Sequence, residues 1–580
     1  MNKDNSKPLT VAVFTATVLP WQIGFYAIPI VSYVCEAAAF AGWGLLLVWL
    51  ARSASPVRTG TGERLIFAAL ALLAVTATLQ LLAGKIVWPG QLIQLLFFLA
   101  VAALVLWGAT LLRSTLAREQ LIDAWAWSWL IGSSLGVVAA LVQYTHLEVP
   151  WWLIAPSGDE GRIFGNVHQP NQFATLLAMG LPCAVWLYRR GRLSLLQASV
   201  WMITIAGAVV LTASRTGLVE LLWIVLWLFL PMNRSPKLAM VVFIGSLAAY
   251  GLFSVLDLAQ VVTYFNGSRL PSMVQAMSVN DSRLQLWRDV LALISQNPWA
   301  GIGFGQLEFF RSFSDLPNAM KTIHVNAHML PLQIAVEYGL PVAGLFFGLL
   351  AFGFFKAGRA WRDPVGNFAL ANIVMILLHS MTEFPLWYAF ILLPFAFLLG
   401  LYLASGRVGA LQEPTSPQGL ATFRRMYTYA AVAVVGGIVL SVAHYLPTIA
   451  MYVLHSKDIT REDRLATANR AFLYKHWIVY NAIGGTSLAD ISQHPELLAL
   501  FDKSSRFYMN EFNMAQYALA LAENGEDAKA ARVVFALRRI ESSQLADLRA
   551  YCAGATTPGA RRLLDLIDAK AEPTVTAKDF

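Results

Sequence analysis

GRIFGNVHQPNQFA, residues 161–174, sets Arg162, His168, Gln169 and Asn171 directly ahead of an apolar run. Pro170 rules out continuous helix through this stretch, and Asn171 is placed to cap a helix starting at Gln172. A helix N-terminus beside an arginine is a ready anion site; the plainer alternative is capping alone. In Ser214-Arg215-Thr216-Gly217 the turn between two apolar runs is so short that Arg215 stays at its tip. It either snorkels to lipid headgroups or grips a lipid-borne phosphate with its planar fork. DSRLQLWRDVLALISQ, residues 281–296, has helical periodicity. Its apolar residues centre about 15° from Arg283, while Arg288 falls about 140° round. A buried Arg283 needs a partner, either a carboxylate such as Glu383 or an anionic substrate. Finally, His324 and His328 are four apart in HVNAHMLPLQIAVEYGLP, a metal-ligand spacing on a helix. Val325 stands where a zinc hydrolase would need glutamate, so no metal is expected. A histidine there accepts protons near neutral pH, with Glu337 and Glu383 as carboxylate partners.

The elements that position these groups follow from composition. The 580 residues are 57% hydrophobic and 13% charged, with a mean hydropathy of +0.57. Soluble domains carry about a quarter charged residues, so a soluble globular protein is excluded, as is disorder. The net charge of +8 is explained by lysine and arginine on cytoplasmic loops, with no need for nucleic acid. Cys35, Cys183 and Cys552 lie too far apart for a disulfide framework. Thirteen apolar runs are long enough to span a bilayer: 10–28, 30–50, 65–84, 91–112, 120–143, 172–188, 194–212, 216–231, 238–256, 330–355, 366–383, 385–404 and 427–447. The first reads as an anchored helix, not a cleaved signal. With the N-terminus inside, the cytoplasmic connectors hold Arg52, Arg58 and Arg64; Arg113 and Arg118; Arg189, Arg190 and Arg192; Arg234 and Lys237; Lys356, Arg359 and Arg362; Arg407, Arg424 and Arg425. The opposite connectors, the largest apart, hold only Lys85, Arg162 and Arg215.

That alternation puts loops 144–171 and 257–329, and the segment 448–580, on the outer face. The expected architecture is an all-α polytopic membrane protein with a transmembrane domain over 1–447 and a helical domain over 448–580. MAQYALALAENGEDAKAARVVFALRRI reads as two helices turning at Gly525, resembling one tetratricopeptide-like unit, and AEPTVTAKDF reads as a frayed end. GIGFG, residues 301–305, is a loop and not a nucleotide site, there is no Walker A sequence, and the sequons at Asn266 and Asn280 carry little weight.

GNVHQPNQFATLLAMG, ASRTG, SRLQLWRDVL with NPWAGIGFGQ, HMLPLQIAVEYGLP and TEFPLWYAFILLPFAFLLG occur in the order seen in the O-antigen ligase superfamily. The first and last most resemble its O-oligosaccharyltransferase branch, the pilin and protein glycosylation ligases, over about residues 160–404. The resemblance implies a GT-C-type inner-membrane glycosyltransferase, with an active site facing the periplasm. It would move an oligosaccharide from undecaprenyl pyrophosphate to a Ser or Thr hydroxyl of a protein acceptor, inverting the anomeric centre, without metal or other cofactor. By position it implies Arg215 and Arg283 (Arg288 on a slipped register) at the pyrophosphate and His328 as the essential histidine. Met329 replaces the usual asparagine after that histidine, and His324 sits one residue further upstream than its usual partner. Arg162, Gln169, Asn171, Arg288 and His324 complete the expected substrate contacts, and the C-terminal domain is expected to present the acceptor. A lipid A-core ligase or an O-antigen polymerase would share this chemistry. A flippase would instead place polar residues at the bilayer midplane.

Overall fold

The apolar runs form helices, and no strand occurs among the described residues of this computed structural model, which are 6–53, 59–112, 115–156, 162–258, 283–316, 322–406, 417–453 and 460–580. The side chains of Arg52, Arg58, Arg113 and Arg407, and both sequons, lie outside what is described. Among the described residues, six helices are long and apolar enough to cross a membrane: Tyr33–Ala51, Thr61–Leu82, Pro89–Thr110, Ala117–Tyr144, Pro236–Leu256 and Gln418–Val453. Shorter apolar helices include Leu195–Leu211, Leu340–Lys356, Pro364–Ser380 and Ala389–Ser405.

Three expected spans are interrupted, each beside a proline that cannot donate to the carbonyl four residues back. The 10–28 run is helical over Ser6–Thr17 and Leu19–Gln22, breaking ahead of Pro20. The 172–188 run divides into Pro170–Ala178 and Gly180–Arg189, because Pro182 leaves the Ala178 carbonyl without its helical donor. The 330–355 run divides into Leu330–Tyr338 and Leu340–Lys356 at Gly339, whose φ is 87°. Pro341 frees the Glu337 carbonyl, which accepts instead from Gly303 N–H (3.1 Å) and the Gln80 amide (2.8 Å). A side chain at Gly339 would strike the Trp299 carbonyl, so glycine is required there twice over.

The chain divides into two compact units, 1–68 with 98–280 and 349–439, and 69–97 with 281–348 and 440–580. In the first, Trp125 stacks on Trp129 and on Phe397 at 5.3 and 5.6 Å. Its cationic helix ends also hold helices together. Arg118, only 2% exposed, reaches Ser405 at 3.1 Å and Asp363 at 3.8 Å. Arg190 pairs with Glu119 at 3.0 Å, and Arg189 donates to Asn233 at 2.7 Å.

The second unit joins the C-terminal helices to the large-loop residues. Helices Glu511–Glu523 and Asp527–Arg539 turn at Gly525, φ 78°. Arg532 pairs with Asp315 (2.6 Å), and Arg539 donates to the Arg311 and Ser312 carbonyls (2.8 and 3.0 Å). The terminal residues are docked, contrary to the expected fraying. The Phe580 ring stacks on Phe313 at 5.0 Å, and the Phe580 carbonyl accepts from Arg506 at 2.9 Å. An aromatic terminus has apolar area to bury, which outweighs the freedom of a tail.

Candidate functional site

In the first unit the sequence-expected residues gather around the turn 213–215. Ser214 is the N-cap of helix Arg215–Phe229, its hydroxyl accepting Gly217 N–H at 3.0 Å. Arg215, the first helical residue, is exposed, while Ser214 and Thr216 on either side are buried. Arg162 donates to the Ala213 carbonyl at 3.5 Å, so a second guanidinium reaches the same turn. Two arginines and a helix N-terminus at one turn are an arrangement whose charge can attract an anion.

Asn171 does not cap its helix. The helix starts one residue earlier, at Pro170, whose missing N–H costs nothing at the first position, and Gln169 caps it by accepting Gln172 N–H at 2.9 Å. Asn171 is instead buried, donating to Glu383 (2.9 Å) and accepting from Ser214 (2.7 Å). Glu383 is thus an Asn171 partner. His168 (φ 56°) stacks on Phe164 at 5.3 Å, and its burial pushes its pKa down, favouring the neutral ring.

The second unit holds Arg283, Arg288, His324 and His328. Helix Arg283–Gln296 buries Leu286, Asp289, Val290, Leu293 and Ile294, a face centred about 60° from Arg283 by helical geometry. Arg283 therefore lies toward the edge of the buried face, half-buried, and not at its middle. The expectation failed because Leu284 and Leu291 are 60% and 53% exposed, so they do not mark the packed side. Arg288 is exposed, on the opposite face. His324 and His328 do not lie on a helix, and His328 has φ 51°. Their rings still meet edge to face at 5.6 Å. Among the described residues no group of three potential ligands surrounds them or any other point.

Backbone on one side fixes His328. Ala327 just before it donates to Gln333 (2.6 Å) and accepts from the Trp287 indole (3.0 Å). Trp287 lies one turn beyond Arg283. Glu337 accepts Gly305 N–H at 2.7 Å, fastening the 301–305 loop, which Lys85 grips at the Gly301 carbonyl (2.6 Å). A buried pair, Arg311 with Asp289 at 3.2 Å, ties this helix to the Thr322 carbonyl at 3.3 Å. Thr322 in turn meets His324 at 3.1 Å. Glu308 accepts Met509 N–H at 3.0 Å, and burial raises its carboxyl to about 8.

Sequence reading passed over Thr175, Glu220 and His379, which meet inside the first unit, and Trp287, Asp289, Arg311 and Gln333 in the second. Glu220 and His379 carried a readable signal, since each is an ionisable residue inside an apolar run. The other five had none beyond their polarity.

Residues 198–347 match the O-antigen ligase family, 163–188 the protein glycosylation ligase family, and 367–540 the C-terminal family of virulence factor membrane-bound polymerases. The chain is 27% identical to the general O-oligosaccharyltransferase of Acinetobacter baylyi, over 62% of this chain and 68% of that protein. It is 23% identical to the ComP-specific O-oligosaccharyltransferase of the same organism, over 56% and 58%. To the O-antigen ligase of Pseudomonas aeruginosa it is 26% identical, over 44% and 57%. The chain thus spans less than two thirds of the latter two relatives. The helices, the family matches and these relatives agree: the chain is a multi-pass membrane glycosyltransferase similar to the O-oligosaccharyltransferases of the O-antigen ligase superfamily.

Proposed function

We propose that this enzyme transfers an oligosaccharide from undecaprenyl pyrophosphate to a serine or threonine hydroxyl of a periplasmic or pilin-like protein. It would act in the bacterial inner membrane with its active site toward the periplasm, on a GT-C-type fold of about thirteen spans. The observation that carries this reading is the turn 213–215, where Arg215 begins a helix and Arg162 reaches the Ala213 carbonyl at 3.5 Å. Paired guanidinium groups suit a diphosphate, whose oxygens accept bidentate bonds.

In the proposed reaction the acceptor oxygen forms a bond to the anomeric carbon as the bond from that carbon to the pyrophosphate oxygen breaks, inverting the centre. Arg215 and Arg283 stabilise the charge gathering on the leaving pyrophosphate, the electrostatic part of catalysis. His328 takes the hydroxyl proton, a role imidazole fills near neutral pH. Gln169, His324 and Arg288 are assigned to substrate contacts. Arginine supplies the charge that a divalent cation would otherwise supply, so the reaction is written without metal.

Likeness to an O-antigen ligase favours a second reading, in which the acceptor is the lipid A core. The two separate in liposomes holding the purified enzyme, a lipid-linked glycan, a serine-bearing pilin-like protein and lipid A core. Mass spectrometry is expected to find the glycan on protein serine or threonine, with EDTA leaving the yield unchanged. Glycan on lipid A core alone replaces the first reading by the second. Loss in EDTA with recovery on adding a divalent cation overturns the metal-free step.

A further inference from the structure

Three helices of the first unit each contribute polar residues one turn apart. Asn171 and Thr175 come from Pro170–Ala178, Thr216 and Glu220 from Arg215–Phe229, and His379 from Pro364–Ser380, with Glu383 four residues on. They meet in two layers. In the first, the Ser214 hydroxyl donates to Asn171 (2.7 Å), Asn171 donates to Glu383 (2.9 Å), and the Thr216 and Thr382 hydroxyls meet at 3.0 Å. In the second, Thr175 Oγ1 lies 2.6 Å from Glu220 Oε1 and 2.7 Å from His379 Nδ1. It is also 3.1 Å from the Asn171 carbonyl.

The second layer contains a proton constraint. A threonine hydroxyl owns one hydrogen, so it cannot serve all three neighbours. At least one of Glu220 and His379 must therefore point a proton at Thr175, as a neutral carboxyl or as Nδ1–H. Thr175, Glu220 and His379 are each 0% exposed. Glu220 and His379 each make a short hydrogen bond to Thr175, and a buried hydrogen-bonded network of this kind favours one packing. The turn it underlies needs that constraint. Ala213 has φ 51°, a left-handed conformation that non-glycine residues hold only when their surroundings impose it.

We infer that this two-layer joint aims Arg215: Asn171, Ser214 and Glu383, and beneath them Thr175, Glu220 and His379, are positioning residues for donor binding. The inference rests on the proposed role of Arg215, and it takes Asn171 out of the substrate contacts. Arg215 itself is exposed and long. Its fork is useful only if its Cα stays where Ser214 and Thr216 hold it.

The test uses pairs that keep or remove the hydrogen bonds at constant shape. Thr175→Ser and Glu220→Gln retain them; Thr175→Val and Glu220→Leu do not. In reconstituted full-length enzyme, kcat/KM for the lipid-linked donor should fall at least about tenfold in Thr175→Val and Glu220→Leu. The acceptor KM should stay within about twofold, and the conservative variants should keep most of the donor term. Should Thr175→Val not accumulate, the Glu220 pair decides. Equal activity within each pair overturns the joint, as does a loss shared evenly between donor and acceptor terms. Arg215→Lys runs alongside. Full activity there defeats the reading of Arg215 itself, whereas an inactive Arg215→Lys with matched pairs defeats the joint alone.

Discussion

Lysine at position 215 would keep the charge and lose the planar fork that fits two phosphate oxygens at once. We therefore expect Arg215→Lys and Arg283→Lys each to lose most transfer while inserting normally. Arg288→Ala should be milder, because Arg288 is exposed on the face of its helix opposite the packed one. Initial rates with the lipid-linked donor measure all three. Near-wild-type rates in both lysine variants remove the pyrophosphate role, and a greater loss at Arg288 than at Arg283 exchanges their assignments. These arginines stood out in the sequence as candidates because charge beside an apolar run is rare. What their neighbours do was not legible there. Asn171 looked like a cap because asparagine favours that place, yet Gln169 takes it once Pro170 is the first helical residue. His324 and His328 had helical spacing without a helix, because the expected helix begins only at Leu330.

Helix Arg283–Gln296 illustrates the same limit one level up. Its periodicity and extent were readable, but the side it packs was not, since its leucines face two ways. The buried face is marked by Asp289, whose bond to Arg311 no spacing rule anticipates. Removing one partner of such a buried pair costs about 3–5 kcal/mol, because it leaves the other charge buried and unpaired. The following helix, Leu307–Phe313, carries Glu308 at 5% exposure. Its folded pKa of about 8 lies above the ordinary value of 4.5, chiefly through burial. Folding therefore retains a proton that the unfolded chain has released, and this contribution, full below pH 4.5, is lost as pH rises through 8. A glutamine in its place would still accept Met509 N–H and has no proton to lose. Glu308→Gln should thus change thermal stability little at pH 5 and raise it increasingly toward pH 8. A difference that is flat in pH, or that shrinks, would falsify the buried-acid assignment.

The division of the chain was the least legible feature. Hydropathy separates residues 1–447 from 448–580 cleanly. In the structure, though, 440–580 form one compact unit with 69–97 and 281–348, and no local composition marks such a partnership. The large-loop residues of that unit depend on the C-terminal segment for burial. Glu308 is paired with Met509, Asp315 with Arg532, and the Arg311 carbonyl with Arg539, while Phe309 and Phe313 pack on Phe580. Deletion of residues 460–580 would remove all of these partners at once, leaving two large aromatics and a carboxyl uncovered on a helix of seven residues. A segment that only presented acceptor protein would, on deletion, spare hydrolysis of the lipid-linked donor and transfer to a lipid. Because this segment also completes the packing around 307–315, we expect its deletion to depress hydrolysis, lipid transfer and protein transfer together and to expose that loop to protease. Docking of an acceptor is then tested on the intact chain, with charge reversals at the exposed pair Arg549 and Asp568, which bond each other at 2.6 Å and touch none of the loop contacts named above. Selective loss of protein transfer in those variants assigns this face to acceptor docking, and wild-type rates in all three assays exclude it. A truncated enzyme that still hydrolyses donor at the full rate would show that the loop folds without its C-terminal partner.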